Sequence, residues 1–514
     1  MAKIIKHILI FVTGIAIWFF WWLIHPELLA YQEQYQMFQT TWSYFVEHLC
    51  VCGGISSYLG EFFTQFNLFP VVGAGFIALG MVIIMELFLH IPFRLRLSLG
   101  KTKIQFTLNN WVNVFVGIGF VLLQNWMMGD ENLLPSYLVA VIIVVAFIWT
   151  VSNIKSWLAR IVMIVVLGPV VYWMVVTTHY RIPHQVLSAP GFNEEKLEVF
   201  QYDMLVRNEK WDEIILKAEK KNPTHPLGIQ ALNLALAKKE LLGDRMFTFH
   251  QIGTGGIFNA WKSNSVDCVI SSEIAWHTGF INTAFRYSFD SQEAIPDKRK
   301  SARLMKRMAE CCIVNGDYKA AKKYINKLSH TLFYKSWAKD AADYLGKENM
   351  IAQHPVWGEK ILVRFKTDYL FNYPEINKMF VLLAIESNGR NKIAWDYFNA
   401  ATLAKGDLQT FAGMSHYGSE LFGETILPNH LQEAWALYWT SSHPTFEGCP
   451  VPINPSIQQR ITKFASLFTQ NQGKFNGFEK SFSDTYWVYF LKKQQSEAAK
   501  QQNVDATSSA SAQY

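Results

Sequence analysis

The chain has 514 residues, half of them hydrophobic and only 17% charged, with a formal net charge of +6. This composition excludes intrinsic disorder, a collagen-like repeat and a small disulfide scaffold, and a surplus of six charges over such a length leaves no electrostatic footprint for a nucleic acid. The charges are unevenly placed: residues 1–184 hold 9 Lys or Arg and 7 Asp or Glu, against 38 and 34 in residues 185–514. The front third is therefore too poor in charge to face water on all sides, while the remainder has the makeup of a globular chain with a real core.

Five stretches in the front third are long and apolar enough to cross a bilayer core of ~30 Å, which takes roughly 17 to 25 residues of helix. They are residues 8–24, 68–91, 110–128, 135–152 and 157–177, the last weakened at Gly168 and Pro169. The first is expected to stay in place as a span, because it exceeds the usual length of a signal-peptide core and no small-x-small cleavage site follows. Basic residues in the short loops set the orientation. No Lys or Arg occurs between Lys6 and Arg94, so the loop 25–67 with Glu27, Glu33, Glu47 and Glu61 reads as outside. Arg94, Arg96, Lys101 and Lys103 mark an inside loop, Asp130 and Glu131 an outside one, and Lys155 with Arg160 the last inside turn. Five spans from a cytoplasmic N-terminus leave everything after residue 179 outside. Within the spans Glu86 is the only acidic residue; it lies near the inside end and is expected to bond locally to His90, one turn on.

The first outside loop shows helical periodicity in Leu28, Tyr31, Tyr35, Phe38, Trp42 and Phe45. Gly53 and Gly54 break the pattern, and Ile55, Tyr58, Leu59, Phe62, Phe63 and Phe66 resume it. Two amphipathic helices on the membrane surface or packed against the spans are expected.

Beyond the spans the sequence repeats. Gly279, Gly316 and Gly389 are each followed five residues later by Ala284, Ala321 and Ala394, and a unit of 36 to 37 residues fits both intervals. The clearest unit has Met305, Met308 and Cys312 on a first helix, a turn at Gly316-Asp317-Tyr318, and Ala321, Ile325 and Leu328 on a second, with small Ala309 at the close contact. It resembles the tetratricopeptide repeat, departing from it in Met305 for an aromatic residue, Ala309 for glycine and the lack of a closing proline. A hairpin with Trp211 after its turn and Asn222-Pro223 at its end, and a helix with Ala394, Phe398 and Ala401, extend the series. The fold class expected is all-α: a membrane domain at 1–184 with five transmembrane helices, an extracytoplasmic tetratricopeptide-like α-solenoid at 185–493, and a disordered tail at 494–514 rich in Ser, Ala and Gln.

The runs Tyr31-Gln-Glu-Gln-Tyr-Gln-Met-Phe38, Gly53-Gly54 to Gln65, Ser272-Glu-Ile-Ala-Trp-His-Thr-Gly279, Glu293-Ala-Ile-Pro296, Ala309-Glu310 and Asn315-Gly316 together resemble an uncharacterised, Bacteroidetes-type domain-of-unknown-function family of multi-pass membrane proteins. The resemblance implies a bacterial inner-membrane protein with a periplasmic helical-repeat domain. It implies no catalytic residue and no cofactor.

Templates for chemistry mostly fail. Gly256-Ile-Phe-Asn-Ala-Trp261-Lys262-Ser263 has Trp261 where a P-loop needs glycine, and Gly413-Met-Ser415-His-Tyr-Gly418 is one residue too long for a nucleophile elbow. Histidines before proline, at 225, 354 and 443, read as loop residues. The six cysteines are expected to be buried free thiols in the main, and His48, Cys50 and Cys52 lack a fourth ligand for a metal. The expected function is a non-enzymatic membrane-anchored scaffold whose partners are the bilayer and a protein or peptide. The alternative is a polytopic glycosyltransferase-like enzyme acting on a lipid-linked sugar or envelope polymer, with Glu33, about nine residues after the first span, as its acidic residue.

Overall fold

The computed structural model describes residues 2–91, 94–99, 102–107, 110–127, 134–175, 194–258, 265–295, 299–366 and 373–511. The chain divides into two compact units. The first joins residues 1–200 to 295–309 and 319–345; the second comprises 201–294, 310–318 and 346–514. The boundary expected near residue 185 lies outside the described residues.

In the first unit, α1 (Ala2–Phe19) runs on as a π turn to Ile24, and α5 (Pro70–His90), α6 (Asn110–Met127), α7 (Leu134–Asn153) and α8 (Trp157–Val175) follow. Four of the described helices are long and apolar enough to cross a membrane: Ile4–Ile24, Pro70–His90, Pro135–Asn153 and Trp157–Val175. In α6, where a fifth was expected, the apolar stretch among the described residues is the shorter Trp111–Leu123.

α1, α5 and α6 alternate in direction, as their end contacts show. At one end His7 Nδ1 meets the Glu86 carboxylate at 2.8 Å, the Lys6 ammonium lies over the Trp111 ring, and Asn113 Nδ2 donates to the Ile91 carbonyl at 2.8 Å. At the other, Trp18 Nε1 donates to the Val71 carbonyl at 2.9 Å and Trp21 Nε1 to Asn125 Oδ1 at 2.7 Å. The expectation of a local Glu86–His90 pair is corrected here. His90 Nδ1 bonds the Glu86 backbone carbonyl at 2.8 Å, while the carboxylate is taken by His7 from another helix.

The chain is helical in the main, as expected, with one short strand hairpin among the described residues. β1 (Arg94–Leu99) and β2 (Thr102–Thr107) form an antiparallel hairpin with Arg94 opposite Thr107 and Leu99 opposite Thr102. The alternation Arg-Leu-Arg-Leu-Ser-Leu has the two-residue period of a strand, and Gly100-Lys101 separates the pair.

The second unit is built of helical hairpins. Gly279, Gly316 and Gly389 all have positive φ, at 100°, 83° and 74°, the left-handed conformation in which a side chain costs most and which ends the preceding helix. The intervening turn is at Gly346, also with positive φ. It stands 30 residues after Gly316 and 43 before Gly389, so the hairpins vary in length where a uniform unit was expected. The helices of the clearest hairpin fall largely in the first unit, which takes in 295–309 and 319–345; its expected core residues Met305, Met308, Ala309, Cys312, Ala321, Ile325 and Leu328 are all buried. Two of the histidines before proline are helix caps. His225 Nδ1 accepts from the Leu227 amide, and His354 Nδ1 from the amides of Val356 and Trp357, each at 3.2 Å. From residue 494, where a disordered tail was expected, the helix Tyr486–Ser511 continues; its Gln, Lys, Glu and Ala residues are good helix formers and it has neither glycine nor proline.

That last helix starts on a buried acid. Glu433 Oε2 accepts from the Tyr486 amide at 2.8 Å, and burial pushes the carboxyl up to about 8. A carboxyl with a raised folded-state value binds more protons folded than unfolded, so stability falls as pH rises through the interval from about 4.5 to about 8. Glu433→Gln keeps an acceptor and removes the charge. The variant is expected to melt higher than the wild type at pH 8.5 and close to it at pH 5; equal margins at both would contradict this.

Candidate functional site

The chemistry-bearing side chains of the first unit gather in the loop between α1 and α5. The loop holds α2 (Pro26–Gln34), α3 (Trp42–Leu49), α4 (Gly54–Thr64) and a 3-10 turn, Gln65–Leu68. Thr41 caps α3 by accepting from the Tyr44 amide at 3.3 Å. The Gly53-Gly54 turn reverses the chain and lays α4 alongside α3. The two expected helices exist, and no residue of α3 is fully buried, though Tyr44, Phe45, Val46 and His48 are partly so; α4 is packed on α7, with Gly60 against Ser136, and the Gly53 amide donates to the Trp173 carbonyl of α8 at 2.6 Å.

The reversal brings three titratable groups together. The Tyr44 hydroxyl donates to Glu61 Oε2, and His48 Nε2 reaches the same oxygen at 3.1 Å while its Nδ1 contacts the Tyr44 carbonyl at 2.8 Å. Tyr58, Phe38 and Phe45 surround them, with Tyr58 edge-on to the other two. Burial and then the Glu61 charge push the Tyr44 phenol far above its ordinary value, so it stays a donor. For His48, burial opposes the charged ring, but the bonds to Glu61 and the Tyr44 carbonyl outweigh it and the value is raised. The stabilisation from this pair is complete below about 6.5 and fades as pH climbs through the raised value. His48→Gln is expected to cost more stability at pH 6 than at pH 8.5, read as the difference in melting midpoint from wild type.

Beside this cluster lies a buried polar layer. Gln32, Glu33, Gln34, Gln36, Gln65 and Asn67 are all buried. Gln65 Nε2 donates to the carbonyls of Gln36 and Glu61. Glu33, the residue singled out for the enzymatic alternative, is only 2% exposed at the end of α2. His48 serves Glu61 rather than Cys50 and Cys52, and among the described residues no group of three or more His, Cys, Asp or Glu is placed to hold a metal. Of the six cysteines, expected to be mainly buried, Cys268, Cys311 and Cys312 are buried, Cys52 and Cys449 are half-buried and Cys50 is exposed; burial pushes Cys268 up to about 12 and Cys312 to about 11, which keeps both as unreactive thiols.

The same loop clasps a distant part of the chain. The Met37 amide donates to the Lys300 carbonyl at 2.8 Å, and the Thr40 amide and hydroxyl donate to the His330 carbonyl at 2.8 and 3.0 Å. Buried Arg303 donates through Nη1 to Gln34 Oε1 at 2.7 Å. Phe333 packs edge-on against both Phe66 and Phe69, with ring centroids 5.4 and 5.3 Å away, and Phe69 is the cap of α5. Nothing in the sequence pointed to these partners, which lie more than 260 residues apart.

The run Ser272–Gly279, also prominent in the sequence, is structural. Ser272 Oγ contacts Ser288 Oγ at 2.7 Å, Lys360 Nζ donates to the His277 carbonyl at 3.4 Å, and Asn391 Nδ2 donates to the carbonyls of Thr278 and Val363 at 2.8 and 3.0 Å. Asn391 Oδ1 meanwhile caps its own helix by accepting from the Ala394 amide.

These features define a predominantly helical protein with several helices able to span a membrane, whose first loop holds a helical hairpin from later in the chain. A family model described as a family of unknown function (DUF6057) matches residues 1–182 and 174–493, and the chain belongs to that family. No curated protein and no solved structure matches it.

Proposed function

We propose that this protein is a membrane-anchored helical-repeat scaffold of the bacterial cell envelope, with five spans in the inner membrane, a cytoplasmic N-terminus and tetratricopeptide-like hairpins offered on the periplasmic side to a protein or peptide partner. The observation that carries the reading is the clasp: a loop joining two span-length helices spends its polar and aromatic side chains on holding the hairpin 299–333. A fifth span is supported by α6. Its Asn113 bonds at one end of the bundle and its Asn125 at the other, about 18 Å apart along a helix, while Phe115, Val116, Leu122 and Leu123 between them expose apolar side chains. The distribution of Lys and Arg supports the orientation. The positive-φ glycine turns support the repeat, and solenoids of stacked hairpins present extended binding surfaces.

The reading is tested by crosslinking in native membranes followed by purification of the full chain. A partner protein joined reproducibly to peptides of residues 201–294 or 346–490, and retained in a Glu33→Gln variant, is the expected result. No crosslinked protein, together with an altered envelope glycan in the Glu33→Gln variant at normal protein levels, would overturn it in favour of an enzyme.

A further inference from the structure

The net charge of the chain is concentrated where it is clasped. The two later segments that belong to the first unit, 295–309 and 319–345, contain twelve Lys or Arg and three Asp, a surplus of nine where the whole chain has a surplus of six. Everything else is therefore net acidic. On the helix Tyr318–Leu328, Lys319, Lys322, Lys323 and Lys327 recur at three- and four-residue spacing opposite buried Ala321, Ile325 and Leu328, and Lys335 and Lys339 repeat the spacing on Lys335–Tyr344. All six are exposed. None of them forms an ion pair with a carboxylate among the described residues.

This basic face stands at the end of the spans. Phe333, two residues before Lys335, packs on Phe69, and the first residue of α5 is Pro70. His330, three residues after Lys327, accepts from Thr40, and Trp42 two residues on is 75% exposed, with Leu49 and Val51 exposed beyond it. An exposed tryptophan beside a row of unpaired lysines at the end of an apolar helix has the composition of a membrane interface.

We propose that Lys319, Lys322, Lys323, Lys327, Lys335 and Lys339 form a docking surface for the anionic phospholipid headgroups of the leaflet at the loop end of the bundle. The proposal rests on the reading of the apolar helices as membrane spans. The helix Tyr318–Leu328 carries no carboxylate, and Asp340 and Asp343 on Lys335–Tyr344 form no ion pair with any of the six lysines among the described residues, so the lysines are left for an external anion. Phosphodiester headgroups are the anions fixed at that level of a bilayer. Each basic side chain near an anionic membrane is worth about a fivefold gain in affinity, and the effect decays within a Debye length.

The test is hydrogen exchange of the full chain in nanodiscs of phosphatidylcholine alone and of phosphatidylcholine mixed with phosphatidylglycerol. The expected result is slower exchange over 318–344 only with phosphatidylglycerol, lost at high salt and lost in the variant carrying Lys319→Gln, Lys322→Gln, Lys323→Gln and Lys327→Gln. Because those side chains are exposed, the variant should keep the wild-type circular dichroism. A companion titration with short-chain phosphatidylglycerol should show at least a tenfold weaker response in the variant. Equal exchange in both lipids overturns the proposal, as does protection produced by soluble polyphosphate and not by phosphatidylglycerol. Extraction of the protein by carbonate washing of native membranes would instead overturn the membrane reading beneath it.

Discussion

Gly60→Val is expected to unseat α4 from α7 and to lower the stability of the protein by about 3 kcal/mol. A Cβ at position 60 would lie 2.0 Å from Ser136 Oγ and 2.2 Å from Ser136 Cα. The second of these atoms is backbone at the start of a span-length helix and has nowhere to go. A branched side chain must therefore push the two helices apart. Glu61 sits on the next residue, so the shift also pulls its carboxylate from Tyr44 and His48. The control is Gly119→Val, because a Cβ at Gly119 meets nothing within 4 Å. Melting of the full chain in detergent should show a large drop for the first variant and little change for the second; equal melting of the two would contradict this packing.

Arg303→Met carries the other large effect. Arg303 is 7% exposed and donates to Gln34, itself buried. Hydrogen bonds to a charged group are worth about 1.5–3 kcal/mol, and a buried acceptor left without its donor adds its desolvation cost. Methionine keeps most of the volume, so the loss comes from the bond and not from a cavity. The expected outcome is a loss of about 2 kcal/mol, with faster hydrogen exchange confined at first to 26–40 and 299–333. Uniform acceleration over the whole chain would show that the clasp is not a local device.

Much of the architecture was legible in the sequence, and the reasons differ by region. Apolar runs such as Pro70–His90 announce themselves because a bilayer core tolerates no interruption for ~30 Å. The hairpin around Gly316 was legible because a tight helical turn and a close helix contact each demand a small residue at a fixed offset. The strands β1 and β2 were legible too, in the alternation of leucine with arginine and serine, but their basic residues drew the reading toward an inside loop. The loop cluster was half visible. Tyr44 and His48 stand one helical turn apart, and Gly53-Gly54 marks the reversal that sets Glu61 against them. Yet Gln32, Glu33, Gln36 and Asn67 are polar, and no periodicity of apolar residues marks them for the burial they have. Arg303 and Gln34 were beyond reach, since a contact across 269 residues leaves no local pattern.

The claim at the centre of this account is that the first loop holds the hairpin 299–333 in the intact protein. It is tested most directly by placing a photocrosslinking phenylalanine analogue at Phe333, irradiating native membranes and mapping the product by mass spectrometry. The account predicts an intramolecular crosslink to the segment 66–69, weakened in Arg303→Met. Crosslinks from Phe333 to lipid or to another protein, with none to that segment, would contradict it.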